Sequence, residues 1–178
     1  MRVVVVVASQ TGHTAKLAEA IAEGAREVGA ETEVIRAEDA GAEHLEAADA
    51  LVLGSGVHMG GMESSMRAFF ERVAPLWLQG RMIGKLGAAF VSAGSGARGG
   101  AELALISMWA NLAEHGMLLV PMHNRLDGYA SAGCHWGPVA WTNPRAGQAG
   151  PTQAHIAACR AHGKWLAECA VRLSRGTL

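Results

Sequence analysis

"VVVVVASQTGHTAK", residues 3–16, opens as five consecutive valines and becomes, within a few positions, a cluster of hydroxyls around one glycine. A run of β-branched residues without polar alternation describes a strand covered on both faces, the habit of parallel sheets. Directly after the turn, Leu17, Ile21, Ala25 and Val28 recur at three- and four-residue spacing, so an amphipathic helix follows. Strand, tight turn and helix form the first unit of an α/β fold.

The same alternation continues along the chain. Short apolar runs at 3–8, 32–36, 50–55, 86–93 and 117–122 predict five strands. Met66, Phe69, Phe70 and Val73 predict a helix between the third and fourth, and another is expected over about 101–115. A last helix is opened by "GPT", with Thr152 as N-cap and Ile156, Cys159, Leu166, Ala170 and Leu173 turned inward. Residues 38–48 give only one or two turns. Residues 123–150, rich in Gly, Pro and Trp, carry no clear period and are read as one long irregular loop, a type of segment that is usually functional or interfacial.

The bulk properties narrow the class. At 178 residues the chain fits a single domain spanning 1–178, able to bury about two-thirds of its unfolded surface. Half the residues are hydrophobic and 17% are charged, which argues against disorder. No apolar run approaches the roughly 20 residues of a membrane span. Fifteen basic and sixteen acidic side chains leave a formal charge of −1, so no nucleic-acid surface is implied. The short N-terminal apolar run reads as a strand rather than a signal peptide, and a cytoplasmic protein is expected. Cys134, Cys159 and Cys169 lack metal or redox spacing and read as reduced structural thiols; Cys134 beside His135 is the alternative reactive pair.

In an open parallel sheet, ligands bind beyond the carboxyl ends of the strands, where strand order reverses. The turn after the valines suits a phosphate: Gly12 permits the bend, the next helix offers unpaired N–H groups, and Ser9, Thr11 and Thr14 add hydroxyl donors. An ordinary turn whose Ser and Thr only cap the helix reads the same residues equally well. The patterns G-x-x-x-x-G-K-[ST] and G-x-G-x-x-G are absent from this turn. Two further strand ends, "GSGVHMGGM" at 54–62 and "SAGSGARGG" at 92–100, are glycine-rich, and three such loops on one edge let backbone groups approach a flat, heteroatom-rich ring.

Ser9-Gln-Thr-Gly-His-Thr14 resembles the flavodoxin-like phosphate loop for flavin mononucleotide. With "MESSMRAFFERVAPLWLQGRMIGK", "AAFVSAGSGARGGAELALISMWANLAEHGMLLVP" and the last helix, residues 1–122 look like the NAD(P)H:quinone oxidoreductases of the WrbA type. The resemblance implies a doubly wound five-stranded parallel sheet of order 2-1-3-4-5 with helices on both faces. It implies that Ser9, Gln10, Thr11, Gly12, His13 and Thr14 hold the FMN phosphate. In the second loop the family's P-T-R-F-G becomes Ser55-Gly-Val-His-Met-Gly60, so Val57, His58 and Met59 are carried over by position. The third loop is two residues longer, with Arg98 and Ala101 in place of Gly and Gln, and gives Ser92, Ala93, Gly94, Ser95 and Gly96 as ring and ribityl neighbours. His115 is implied to line the flavin and Trp77 to lie by the nicotinamide and quinone site; capping its helix and plain packing are their respective alternatives.

No catalytic triad or metal cluster is found, as expected where a flavin accepts hydride at N5 and the protein controls orientation and access. The function expected is two-electron ping-pong transfer from NADH or NADPH to a quinone, in a homo-oligomer (tetramer or dimer). Tyr129, Trp136 and Trp141 are candidates for walling the pocket or an interface, and Arg98 or Arg125 for meeting a 2′-phosphate. A flavodoxin-type single-electron carrier is the rival, disfavoured by the absence of a one-signed charge balance. A flavin-binding module without turnover is a third reading.

Overall fold

Side chains alternate between two buried layers along the first strand, which explains the unbroken valines. In the computed structural model, which describes residues 1–94, 97–142, 147 and 149–176, β1 (Arg2–Ala8) sends Val4, Val6 and Ala8 into one core and Val3, Val5 and Val7 into the other. Burying every valine on both faces removes any need for polar alternation. The strand is followed by α1 (His13–Arg26), β2 (Glu31–Arg36), the single-turn α2 (Ala42–Glu46), β3 (Ala50–His58), the short β4 (Gly61–Met62) and α3 (Ser64–Leu78). Then come β5 (Leu86–Gly94), α4 (Gly100–Glu114), β6 (Leu118–Leu119), α5 (Tyr129–Ala132), β7 (Gly133–Cys134), β8 (Gly137–Thr142) and α6 (Gln153–Ser174).

The main sheet runs β2-β1-β3-β5-β8, all parallel, with the reversal of strand order between β1 and β3. Helices α3 and α4 cover one face through Met66, Phe69, Val73, Leu105 and Met108; α1 and α6 cover the other through Leu17, Ile21, Cys159 and Leu166. The order 2-1-3-4-5 holds with one correction. The fifth strand is not the single run 117–122: β6 pairs only with the start of β5, Leu86↔Leu118 and Gly87↔Leu119, while β8 takes the same edge further along, Val91↔Val139 to Gly94↔Thr142. Val120 still donates to the Gly87 carbonyl, but Pro121 has no N–H to continue the ladder. The chain leaves the sheet there and returns at Gly137, so the segment read as irregular holds an ordered strand.

Two glycines decide how the second layer assembles. A Cβ at Gly24 of α1 would sit 1.9 Å from the Arg160 carbonyl oxygen, and one at Gly163 of α6 would sit 2.0 Å from that of Ile21. The helices therefore meet backbone to backbone, with Glu27 paired to Arg160 and, at 3.2 Å, to Lys164 beside the crossing. Thr152 caps α6 as expected, accepting from the His155 amide. Leu173 is a correction: on the last turn of α6 its side chain is exposed, at the rim of a hollow shared with Leu86 and Ala170 rather than within the core. Cys159 and Cys169 are buried and unpaired. Cys134 donates to the Gly137 carbonyl at 3.4 Å and burial pushes its thiol upward, so the geometry does not form a reactive pair with His135. No helix among the described residues is long and apolar enough to cross a membrane.

His162 of α6 is wholly buried, with Nε2 3.0 Å from the Val120 carbonyl and Nδ1 without a partner among the described residues. Desolvation pulls this imidazole down to about 4. Its folded value thus lies below its unfolded one, so the unfolded chain binds the proton first as pH falls through about 6.5, and stability is lost between there and about pH 4. Burial shifts His155 in the same direction. Urea unfolding is expected to give a free energy about 2 kcal/mol lower at pH 4.5 than at pH 7 from this residue, a difference that His162→Gln removes.

Candidate functional site

The carboxyl ends of β1, β3 and β5 converge on one recess of about 100 Å³. It is lined by Gln10, Thr11, His13 and Thr14 from the first loop, Gly56, Val57 and His58 from the second, and Ser92, Ala93 and Gly94 from the third. The three loops are joined by direct contacts. Thr14, buried on the first turn of α1, shares a 2.7 Å hydrogen bond with the Ser92 hydroxyl. A Cβ at Gly56 would lie 3.2 Å from His58 Nε2, closer than ordinary contact, and 3.6 Å from Thr14 Oγ1, so the second loop sits against the first at this glycine.

The first loop divides its labour. Gly12 bends the chain with φ 81 immediately before α1, a conformation that costs glycine nothing. The helix geometry leaves the amides of the first turn without intrahelical acceptors, except that the Ser9 hydroxyl accepts from the Ala15 amide at 3.3 Å. Ser9 accordingly caps the helix rather than lining the recess, whereas Thr11 and Thr14 keep hydroxyls on it. Among the described lining residues there is no Lys or Arg; His13 and His58 are the titratable groups. Amides, hydroxyls and the positive end of a helix dipole can hold a phosphomonoester without a fixed cation.

The second loop is a hairpin in which Val57 pairs with Met62 and His58 with Gly61. Its turn, Met59 (φ 47) and Gly60 (φ 85), is left-handed at both positions, matching the twist of the paired strands. Ser55 locks the base, donating to the Gly56 carbonyl and accepting from the Glu63 amide at 2.9 Å. Val57 and His58 are brought to the recess. Met59 is not: at the tip of the turn its side chain is fully exposed.

Ser95 and Gly96 lie outside the described residues. Thr142, at the end of β8, completes the wall and donates to the Ala93 carbonyl at 3.4 Å. Reasoning from sequence missed it because its strand lies within the segment read as irregular; the signal available was the β-prone run "VAWT" after Gly137-Pro138.

His115 and Trp77 are not brought to this recess. Helices here run antiparallel to the strands, so the ends of α3 and α4 lie at the opposite edge, where Leu118 pairs with the first residue of β5. The two side chains share a separate groove of about 140 Å³ with Arg67, Phe70, Asn111 and Glu114. His115 is the C-cap residue of α4, and burial lowers its imidazole. Arg98 lies over the Trp141 ring at 5.2 Å, one residue from Thr142. Arg125 is elsewhere, in a hollow with Arg160, Lys164 and Trp165. No group of three or more His, Cys, Asp or Glu among the described residues is arranged to hold a metal.

Comparison with known proteins agrees with this geometry. A flavodoxin domain model matches residues 4–94, a span that takes in all three strand ends of the recess. The chain is 34% identical to a protein named NAD(P)H dehydrogenase (quinone) from Methylocella silvestris, covering 97% of this chain and 98% of that one. A protein of the same name from Rhodopseudomonas palustris is 32% identical with the same coverage. Among solved structures, the flavodoxin, WrbA-like protein from Agrobacterium tumefaciens superposes with a TM-score of 0.74 at 25% identity, over 96% of this chain and 98% of that one. Strand order, the loop architecture around the recess and these full-length likenesses all lead to one assignment: the chain belongs to the flavodoxin family.

Proposed function

We propose that this protein is an FMN-dependent NAD(P)H:quinone oxidoreductase that works by two-electron ping-pong transfer. The observation that carries the reading is the convergence of three loops, at the reversal of strand order, on a polar recess without Lys or Arg among its described lining residues. The names borne by its full-length relatives support the redox class and the two substrates.

The residues present fit FMN. The first-turn amides of α1 with Thr11 and Thr14 would hold the phosphate, and Gln10, Gly12 and His13 shape that end. Gly56, Val57 and His58 with Ser92, Ala93 and Gly94 would flank the ring system. When bound, FMN supplies the hydride chemistry, so the chain needs no redox-active side chain of its own. The Thr14–Ser92 bond holds the two loops at a fixed separation, which preorganises the site.

Exposed apolar side chains outside the recess, Trp77, Leu78, Leu103 and Ile106, support a homo-oligomer, dimer or tetramer. In such an assembly Trp77 and His115 of a neighbouring copy, rather than those of the same protomer, would reach the substrate side of the flavin. We place the protein in the cytoplasm, without nucleic-acid or membrane partners.

Protein loaded with FMN is expected to oxidise NADH or NADPH rapidly once benzoquinone is added, with parallel double-reciprocal lines at varied quinone concentration. Bound flavin that neither nicotinamide reduces would overturn the reading in favour of an electron carrier.

A further inference from the structure

Glu63 is a buried carboxylate with half its hydrogen-bonding capacity unused. It immediately precedes α3 and is 4% exposed. Its Oε1 accepts from the Ser65 hydroxyl at 3.1 Å, while Oε2 has no hydrogen-bond partner among the described residues. The one described basic group within 4.0 Å is His58, whose Nε2 lies 3.9 Å from Oε2. That separation is too long for a hydrogen bond, and it makes the imidazole the nearest described basic group to the carboxylate.

His58 belongs to the recess and Glu63 does not. The imidazole lies against Gly56 and is half-exposed, so of the two side chains it is the one that faces the space where ligand would sit. The other imidazole of the recess, His13, has no carboxylate within the same distance among the described residues, which makes the His58 arrangement specific.

We propose that Glu63 and His58 together set the reduction potential of the flavin that the proposed function places in this recess. Glu63 is the buried negative charge that disfavours the electron-rich reduced form, and His58 is the side chain that screens it. The inference rests on the flavin reading and adds to it a pair of residues that acts through the field rather than through bond-making. A charge of this kind acts on the difference between the two oxidation states, because the reduced ring carries more negative charge than the oxidised one.

The test is the midpoint potential of FMN bound to wild type, Glu63→Gln, His58→Gln, His58→Arg and the Glu63→Gln/His58→Gln pair. Removing the carboxylate is expected to favour the reduced form about tenfold, an upward shift of about 30 mV for a two-electron couple. His58→Gln is expected to shift it downward by a similar factor, and His58→Arg to keep it at or above the wild-type value. In the double variant the two opposed shifts are expected to offset and leave the potential near the wild-type value, because the fields of the two side chains add at the ring. A purely structural role would change the affinities for oxidised and reduced FMN alike and leave the potential unmoved.

An unmoved or lowered potential in Glu63→Gln, or a double variant that does not return toward the wild-type value, overturns the inference while leaving the flavin reading intact. Failure of the wild-type protein to take up FMN overturns both. Should Glu63→Gln not fold, the half-exposed position decides: a drop in His58→Gln that is absent from His58→Arg is expected, and equal potentials in the two overturn the proposal.

Discussion

Replacing Thr11 and Thr14 together by valine is expected to weaken FMN binding by at least two orders of magnitude. Each hydroxyl would donate to a charged phosphate, a bond worth about 1.5–3 kcal/mol, so losing both costs roughly 3–6 kcal/mol, and every 1.4 kcal/mol is tenfold in affinity. The two positions differ in side effects. Thr11 is exposed, and its replacement touches only the ligand. Thr14 is buried and bonded to Ser92, so valine there also leaves the Ser92 hydroxyl without that partner and loosens the third loop. Riboflavin, which lacks the phosphate, separates these effects. Quenching of flavin fluorescence on titration into apoprotein should give a large loss for FMN and a small one for riboflavin. Equal losses for both ligands would mean that the phosphate is held elsewhere.

The largest effect on stability is expected from Gly163→Ala. The added methyl would have to occupy space 2.0 Å from the Ile21 carbonyl oxygen, which belongs to the backbone of a helix and cannot rotate away. Helices α1 and α6 must separate, opening a layer that includes Leu17, Ile21, Cys159 and Leu166. Overpacking of this kind costs about 3 kcal/mol or somewhat more, a fall of roughly 10 °C in Tm for a chain of this size. Gly24→Ala should cost as much, and the pair should cost less than the sum, because one separation makes room for both methyls. Gly61→Ala, where a Cβ meets nothing within 4 Å, serves as the control and should lie within about 0.5 kcal/mol of wild type. Thermal unfolding followed by circular dichroism checks the series, and a Gly163→Ala variant as stable as the control would mean that the helices do not cross at these glycines.

Much of this architecture was legible in the residues because burial leaves a strong signature. Val3 to Val7 could only be a strand with both faces covered, and Met66, Phe69, Phe70 and Val73 could only be one face of a helix; all are buried. The fifth strand was not legible, because its identity depends on where β5 has free edge to pair with, and no local pattern carries that information. The apolar run after Gly116 is the obvious candidate, yet Pro121 ends its ladder after two residues. Where the recess depends on turns at strand ends, as with Thr11, Thr14 and Ser92, the sequence names residues that the fold brings together. Placement was not legible where it depends on direction. Met59 sits between two residues of the hairpin that line or shape the site, but a left-handed turn throws its side chain outward. Trp77 and His115 lie at helix ends that topology places on the far edge of the sheet. Thr142 was missed with its strand.

The divided edge also bears on how the polypeptide matures as it is synthesised. Val91–Gly94 of β5 cannot find their neighbour until Val139–Thr142 have left the ribosome, about fifty residues later. Through that interval a half-length of open sheet margin is presented to solvent, the kind of template on which nascent chains aggregate. Since Thr142 also closes the recess, the wall that meets the cofactor is completed only by a strand that is synthesised late in the polypeptide.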